Sequence, residues 1–113
     1  MLEIAIEETD DYVVGRPAGD LDAYTVAAFR EALTELSERP AVVIDLSGVP
    51  FMDSAGLGAL IGGIRKTREN ENQVAVACNR PALMRLLHTT GFDRIVPVKE
   101  SLEEAVAALT EDA

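Results

Sequence analysis

Residues 41–64 read AVVIDLSGVPFMDSAGLGALIGGI. The first six, residues 41–46, form a nearly continuous apolar run rich in β-branched side chains, which is typical of a central strand covered on both faces. A loop with Gly48 and Pro50 follows. Apolar side chains then recur at intervals of three and four residues, as on one face of a helix: Leu57, Leu60, Ile61 and Ile64. This stretch therefore predicts a strand, a loop and a helix, in that order.

The rest of the chain repeats the alternation of strands and helices. Two short strands at residues 2–7 and 12–16 predict an N-terminal hairpin. The remaining predicted elements are a helix that starts at Asp22 or Thr25 and stops at Pro40, a strand over 73–78, a helix from Pro81 to Gly91, a strand over 95–98, and a helix opened by a Ser101–Glu104 capping box. The order β-β-α-β-α-β-α-β-α predicts one α/β domain over residues 1–113, with a mixed, mostly parallel sheet and about four helices.

Composition indicates how the core is built. The chain has 113 residues, of which 48% are hydrophobic and only 4% aromatic. This is enough apolar material for one sizeable core, and that core must be mainly aliphatic. Its few large rings are expected to be Phe29, Phe51 and Phe92. The single cysteine, Cys78, cannot form an internal disulfide and is expected to be a small core residue.

Charge restricts the partners. The formal net charge is −10, so the chain lacks the cations that bind nucleic acid or an anionic membrane. A partner is expected to offer a basic or apolar patch. The first eight residues carry acids where a signal peptide has bases, and no apolar run reaches transmembrane length. We therefore expect a cytoplasmic protein, with neither nucleic acid nor membrane as its partner.

Ser54 is the most informative polar residue. It lies after the strand over 41–46 and its loop, at the start of the next predicted helix. Ligand sites in parallel sheets gather beyond the carboxyl ends of the strands. Either Ser54 or Asp53 is a good N-cap, and capping is the commonest role of such residues. The helix that follows also contains four glycines, each costing up to ~1 kcal/mol relative to alanine. That cost indicates close approach by another backbone or by a partner.

A hydroxyl at a helix start can also be phosphorylated. The dianion would then face unpaired backbone N–H groups and the positive end of the helix dipole, so the site could accept it without unfolding. The surface around Ser54 would change charge abruptly. Asp53 beside it, with Asp20 and Asp22 in a neighbouring loop, would add like-charge repulsion.

Hydrolase chemistry at Ser54 is disfavoured by its surroundings. A nucleophile elbow needs glycine two residues before and two residues after the serine. Gly56 meets the second requirement, but Met52 occupies the first position. The only histidine, His88, falls on the polar side of a later helix, where a solvated surface role is expected. No catalytic residue is predicted.

Metal and phosphate-loop chemistry is equally unsupported. A receiver-type phosphoacceptor at Asp53 or Asp45 needs an acidic cluster for Mg²⁺ and a nearby lysine, and Asp45 falls inside a strand, where a structural role is expected. Asp20 and Asp22 are too few for a hard-cation site. The glycines of the helix lack the Lys-Ser/Thr of a P-loop. We therefore predict no metal and no cofactor.

A resemblance to a known family implies a more specific role for Ser54. Residues 43–58, VIDLSGVPFMDSAGLG, resemble the signature of STAS domains and, within them, of the bacterial anti-sigma factor antagonists. The resemblance spans nearly the whole chain and includes Gly-Asp-Leu-Asp at 19–22 and Gly-Phe at 91–92. The Asp-Ser-x-Gly-Leu-Gly core is fairly specific at this position, whereas a bare Asp-Ser would mean little.

The resemblance implies a partner-switching cycle. In that family the unphosphorylated antagonist binds an anti-sigma factor, which is also a serine kinase of the histidine-kinase-like ATPase fold, and so frees a sigma factor. The kinase then phosphorylates the serine that matches Ser54, which ends binding, and a serine phosphatase restores the antagonist. Ala55 replaces a second serine found in some relatives, which leaves Ser54 as the unambiguous hydroxyl. The expected partner-binding residues are Asp20, Asp22, Thr25, Asp53, Ser54, Ala55, Gly56 and Leu57.

Two other functions stay open at this point. The chain could be a STAS module that only bridges proteins, in a stress-signalling assembly or as a transporter-associated subunit, with no kinase acting on Ser54. It could also be a small enzyme or nucleotide binder on the same fold, which would bind a small ligand saturably.

Overall fold

A five-stranded sheet runs through the centre of the domain. The computed structural model describes residues 2–111. The strands lie in chain order across the sheet: β1 (Glu3–Glu8), β2 (Val13–Ala18), β3 (Ala41–Asp45), β4 (Gln73–Ala77) and β5 (Val98–Lys99). The first pair is antiparallel and the other pairs are parallel. This confirms the predicted mixed, mostly parallel sheet with an N-terminal hairpin.

Four helices cover the two faces of the sheet. They are α1 (Val26–Leu36), α2 (Ser54–Glu69), α3 (Pro81–Thr89) and α4 (Leu102–Glu111). Apolar side chains of α1, α2 and α3 pack on one face of the sheet in a common cluster, and those of α4 pack on the other face. The result is a three-layer α/β domain with the predicted element order. Among residues 2–111, every helix is too short or too polar to span a lipid bilayer.

The aromatic core is smaller than the composition suggests. Phe29 and Phe92 are buried, with 2% and 0% of their surface exposed, but Phe51 is 51% exposed. The expectation that Phe51 belongs to the core is therefore wrong. Met52 forms an isolated parallel bridge with Leu21 and is itself buried. Since neighbouring side chains of an extended segment point to opposite sides, burial of Met52 turns Phe51 outwards.

The last strand is shorter than predicted. Its first three predicted residues, 95–97, lie outside β5, which contains only Val98 and Lys99. A 3₁₀ turn over Phe92–Arg94 precedes it, and Ile95 still has helical dihedral angles. Pro97 has no N–H to donate, but its carbonyl accepts a hydrogen bond from the Val76 N–H at 2.9 Å. Pairing with β4 therefore begins at the Pro97 carbonyl.

Strand β2 is longer than predicted. It runs past residue 16 to Ala18, because Pro17 and Ala18 still pair with Ile4 and Glu3 of β1. The longer strand brings the chain to Gly19 at the edge of the sheet where β3 also ends. This end of β2 leads directly into the loop that contains Asp20 and Asp22.

Two of the four glycines in α2 allow close packing. A Cβ added at Gly56 would overlap the carbonyl oxygen of Leu21, and one at Gly63 would lie 2.8 Å from the Leu33 side chain of α1. A Cβ at Gly58 or Gly62 would meet nothing within 4 Å. The predicted close approach to a backbone is therefore present at Gly56. The start of α2 rests on the Leu21 peptide because residue 56 has no side chain.

The two classes of glycine predict opposite effects of alanine. Gly56→Ala should lower the free energy of unfolding by roughly 1–3 kcal/mol, because the methyl group overlaps backbone that cannot move aside easily. Gly62→Ala is the matched control in the same helix and should raise it by up to about 1 kcal/mol, because alanine is the better helix former and the space is open. Urea denaturation of both variants measures the difference. Wild-type stability of Gly56→Ala would contradict the packing described.

Candidate functional site

Two loops meet at the edge of the sheet where the parallel strands end. The loop after β2 and the loop after β3 are joined by backbone hydrogen bonds from Gly19 N–H to the Gly48 carbonyl (3.0 Å), from Leu21 N–H to the Phe51 carbonyl (2.9 Å) and from Asp53 N–H to the Leu21 carbonyl (3.1 Å). Gly19 has φ of 123°, a conformation that glycine adopts without strain. The predicted acids of the first loop are thereby brought beside the start of α2.

Asp53, and not Ser54, caps α2. One carboxylate oxygen, Oδ1 of Asp53, accepts hydrogen bonds from the N–H groups of Ala55 (2.9 Å) and Gly56 (3.0 Å). Asp53 has extended dihedral angles, as an N-cap requires, and Ser54 is the first residue of the helix. Sequence alone allowed either residue as the cap. The structure leaves the Ser54 side chain exposed and outside the capping interaction.

This capping overturns one expectation about a phosphate at Ser54. The N–H groups of Ala55 and Gly56 are not free to receive it, because the Asp53 carboxylate already accepts both of their hydrogen bonds. A phosphate on Ser54 would therefore lie beside a negative group that already occupies these two donors. Stabilisation of the phosphate by free donors is therefore weaker than the sequence suggested, and the repulsion from Asp53 that the sequence predicts stays.

The loop before α1 is held by its own side chains. Oδ1 of Asp22 accepts hydrogen bonds from the N–H groups of Tyr24 (2.9 Å) and Thr25 (3.1 Å). The Thr25 hydroxyl donates to the Asp20 carbonyl at 2.8 Å and accepts from the Asp22 N–H at 3.1 Å. Asp22 and Thr25 therefore fix the shape of this loop, whereas the side chain of Asp20 is exposed.

The structure brings together all eight residues of the expected partner surface, at different depths. Asp20 and Ser54 are exposed, while Gly56 is buried against Leu21. The others are half-buried: Asp22, Thr25, Asp53, Ala55 and Leu57. Leu57 packs against the main core cluster. Gly56 and Leu57 thus pack the start of α2 against the rest of the domain. The outermost polar groups of this surface are the Asp20 carboxylate and the Ser54 hydroxyl.

Asp45 has the structural role expected of it. Its side chain is buried, and Oδ2 lies 2.7 Å from Nη1 of Arg16. Oδ1 accepts a hydrogen bond from the Ser47 N–H at 3.0 Å. Arg16 also pairs with Glu7 at 2.9 Å, so the three side chains link β1, β2 and β3 across one face of the sheet. Both carboxylate oxygens of Asp45 are engaged, which does not suit a phosphoacceptor.

No nucleophile–histidine pair forms around Ser54. Nδ1 of His88 lies 2.8 Å from Oδ2 of Asp93, and the His88 side chain is 81% exposed. Both α2 and α3 start at the carboxyl edge of the sheet, so His88, near the end of α3, lies about 10 Å along the helix axis from that edge.

Burial raises the pKa of the Cys78 thiol, which keeps it neutral and unreactive near pH 7. Among residues 2–111, no three His, Cys, Asp or Glu side chains cluster as a metal site.

Two exposed aromatic side chains at this surface were missed by sequence reasoning. Tyr24 is 97% exposed, and Phe51 is 51% exposed. The sequence does contain a signal for each of them. Tyr24 lies in a polar loop before the apolar helical pattern of α1, and Phe51 comes directly after Pro50 in the loop after β3. Apolar residues in loops between clear elements are candidates for contact with another molecule.

Comparison with known proteins identifies the family. The family model described as the STAS domain matches residues 3–105. Because this match covers most of the chain, the chain belongs to the STAS domain family. The resemblance found in residues 43–58 is thereby confirmed.

Named relatives place the chain within that family. It is 34% identical over 101 residues to an anti-sigma-B factor antagonist of Listeria monocytogenes, covering 87% of this chain and 89% of the relative. It is 31% identical over 113 residues to an anti-sigma F factor antagonist of Paenibacillus polymyxa, covering 97% and 94%. The crystal structure of an anti-sigma factor antagonist from Mycobacterium paratuberculosis superposes with a TM-score of 0.89 at 30% identity, covering 97% of this chain and 95% of that one.

The capping geometry predicts how stability responds at the two neighbouring positions. Asp53→Ala should lower the free energy of unfolding by about 1 kcal/mol, because two N–H groups of α2 lose their acceptor. Ser54→Ala should change it by less than about 0.5 kcal/mol, because the exposed hydroxyl caps nothing. Thermal and urea denaturation of the two variants measure this contrast. A loss in Ser54→Ala as large as that in Asp53→Ala would mean that Ser54 supplies the cap.

Proposed function

We propose that this chain is an anti-sigma factor antagonist whose docking on an anti-sigma factor is switched off by phosphorylation of Ser54. The observation that carries the proposal is the position of Ser54. Its hydroxyl is exposed at the start of α2 and takes no part in capping the helix. The names of the relatives support the class of partner. The unphosphorylated chain binds the anti-sigma factor and so frees a sigma factor.

Modification of Ser54 leaves the fold intact in this proposal. The hydroxyl is outside the capping interaction, so a phosphoryl group breaks none of the hydrogen bonds that Asp53 makes. The core side of α2, with Leu60 and Ile64 fully buried, is separate from this exposed hydroxyl. The switch therefore acts on the surface and needs no conformational change.

Charge is what the phosphoryl group changes. A phosphoserine carries roughly −1.5 to −2 charges at neutral pH. Asp53 is adjacent to Ser54. The Asp53 N–H donates a hydrogen bond to the carbonyl of Leu21, the residue before Asp22. Asp20 lies one residue before Leu21. In an interface built for a neutral hydroxyl among these acids, desolvation and repulsion would weaken binding by several kcal/mol, and each ~1.4 kcal/mol is tenfold in affinity.

The partner in this proposal is both the docking target and the kinase. It is an anti-sigma factor of the histidine-kinase-like ATPase fold, and a serine phosphatase removes the phosphoryl group. The chain itself is not an enzyme and needs no cofactor. The net charge of −10 favours a partner face with basic groups over nucleic acid or an anionic membrane. The cycle takes place in the cytoplasm, where sigma factors meet RNA polymerase.

The kinase reaction tests the site directly. Wild-type chain incubated with its cognate anti-sigma factor and Mg-ATP should gain one phosphoryl group, seen by intact-mass spectrometry. Ser54→Ala should gain none while still binding the anti-sigma factor. Ser47→Ala is the matched control, because Ser47 is an exposed serine of the loop that leads to Ser54, and it should be modified like the wild type.

The opposite outcome identifies the alternative. If an anti-sigma factor binds the wild-type chain and yet transfers no phosphoryl group to it, the chain is a STAS module that bridges proteins without a phosphorylation switch. A phosphoryl group on Ser47 would place the switch at another residue of the loop.

A further inference from the structure

We propose that Tyr24 and Phe51 are the apolar anchors of the docking surface and insert into two apolar pockets of the anti-sigma factor. The inference rests on the proposed function and adds the residues that supply its affinity. Only three large hydrophobic side chains among residues 2–111 are exposed, namely Ile6, Tyr24 and Phe51. Tyr24 and Phe51 lie in the two loops that are hydrogen-bonded to each other before α2, and Ile6 lies on β1.

Tyr24 combines a free side chain with a fixed backbone. Its side chain is 97% exposed, so packing within this domain does not explain a tyrosine there. Its N–H donates to Oδ1 of Asp22 at 2.9 Å, which fixes the backbone of the loop. A large ring on an ordered loop loses little conformational freedom on binding, and tyrosine is enriched among the residues that dominate interface energies.

Phe51 is presented by the neighbouring segment. Its carbonyl accepts a hydrogen bond from the Leu21 N–H at 2.9 Å, and the bridge between Leu21 and Met52 turns its ring outwards. Tyr24 follows Leu21 by three residues, which places its Cα within roughly 10 Å of that of Leu21. Ser54 follows Phe51 by three residues. The backbone pairing of Leu21 with residues 51–53 brings the segments that carry the two rings and Ser54 together, and in this proposal the three side chains share one surface.

The chemistry around the rings defines the partner face. Asp20 and Asp22 lie in the loop that carries Tyr24, and Asp53 follows Phe51 by two residues, so the proposed apolar centre has acidic residues in both of its loops. Interfaces of this kind bury aromatic anchors at the centre and pair charges at the edge. The complementary face has two apolar pockets bordered by arginine or lysine. This matches a partner for an acidic chain and excludes one that binds through charge alone.

The two rings and Ser54 affect docking in different ways. Burial of the rings supplies affinity that changes little with salt, since apolar burial is not screened. Ser54 contributes little while neutral and opposes docking once it carries a phosphoryl group. Loss of an anchor should therefore weaken binding by the same factor at low and high salt, whereas the effect of phosphorylation should shrink as salt rises.

Isothermal titration with the purified anti-sigma factor tests the anchors. Tyr24→Ser and Phe51→Ser should each raise Kd roughly tenfold or more. Tyr24→Phe should keep Kd within about twofold of the wild type, because the ring and not the hydroxyl is buried. Ile6→Ser is the matched control for Phe51→Ser: it removes an apolar side chain of similar exposure, 42% against 51%, from the hairpin and should leave Kd within about twofold. Circular dichroism and urea denaturation verify that each variant is folded.

The outcomes separate this inference from the function on which it rests. If the wild type binds and is released on phosphorylation, but both serine variants bind with wild-type Kd, the anchors are wrong and the proposed function stands. Tyr24→Ser decides alone if Phe51→Ser unfolds, since a side chain that is 97% exposed makes no core contact. A wild-type chain that does not bind the anti-sigma factor overturns both.

Discussion

The backbone pairing of Leu21 with residues 51–53 determines the geometry of this surface. Leu21 donates through its N–H to the Phe51 carbonyl and accepts through its carbonyl from the Asp53 N–H. Its side chain is fully buried, and Gly56 packs against its carbonyl. Leu21 therefore ties both loops to the core. This pairing orients the Phe51 ring, the Asp53 cap and the start of α2 together.

Capping by Asp53 explains how a helix start can serve as a switch. An N-cap that is modified loses its hydrogen bonds to the helix, so regulation at that position would cost stability. Here the cap and the modifiable hydroxyl are adjacent residues, Asp53 and Ser54. In the proposed function, Asp53 stabilises the helix and Ser54 carries the regulation. The carboxylate that stabilises the helix is also the nearest charge to repel a phosphoryl group on Ser54.

Sequence reasoning predicted the architecture well, because strands and helices leave strong local patterns. Residues 41–64 alone indicate the β3–α2 unit, and the alternation around it predicts the parallel sheet. Exposure of Phe51 was not predictable in this way, since it depends on pairing with Leu21, thirty residues earlier. The choice between Asp53 and Ser54 as cap was also open, because both residue types cap well. Tertiary contacts decided each of these points.

The affinity of the anti-sigma factor for the two forms of this chain tests the central claim most directly. The measurement is a titration of unphosphorylated and Ser54-phosphorylated chain at low and at high salt. We expect phosphorylation to raise Kd by at least about a hundredfold at low salt, corresponding to about 3 kcal/mol, and by less at high salt. Equal Kd values for the two forms would contradict the claim that charge at Ser54 controls docking.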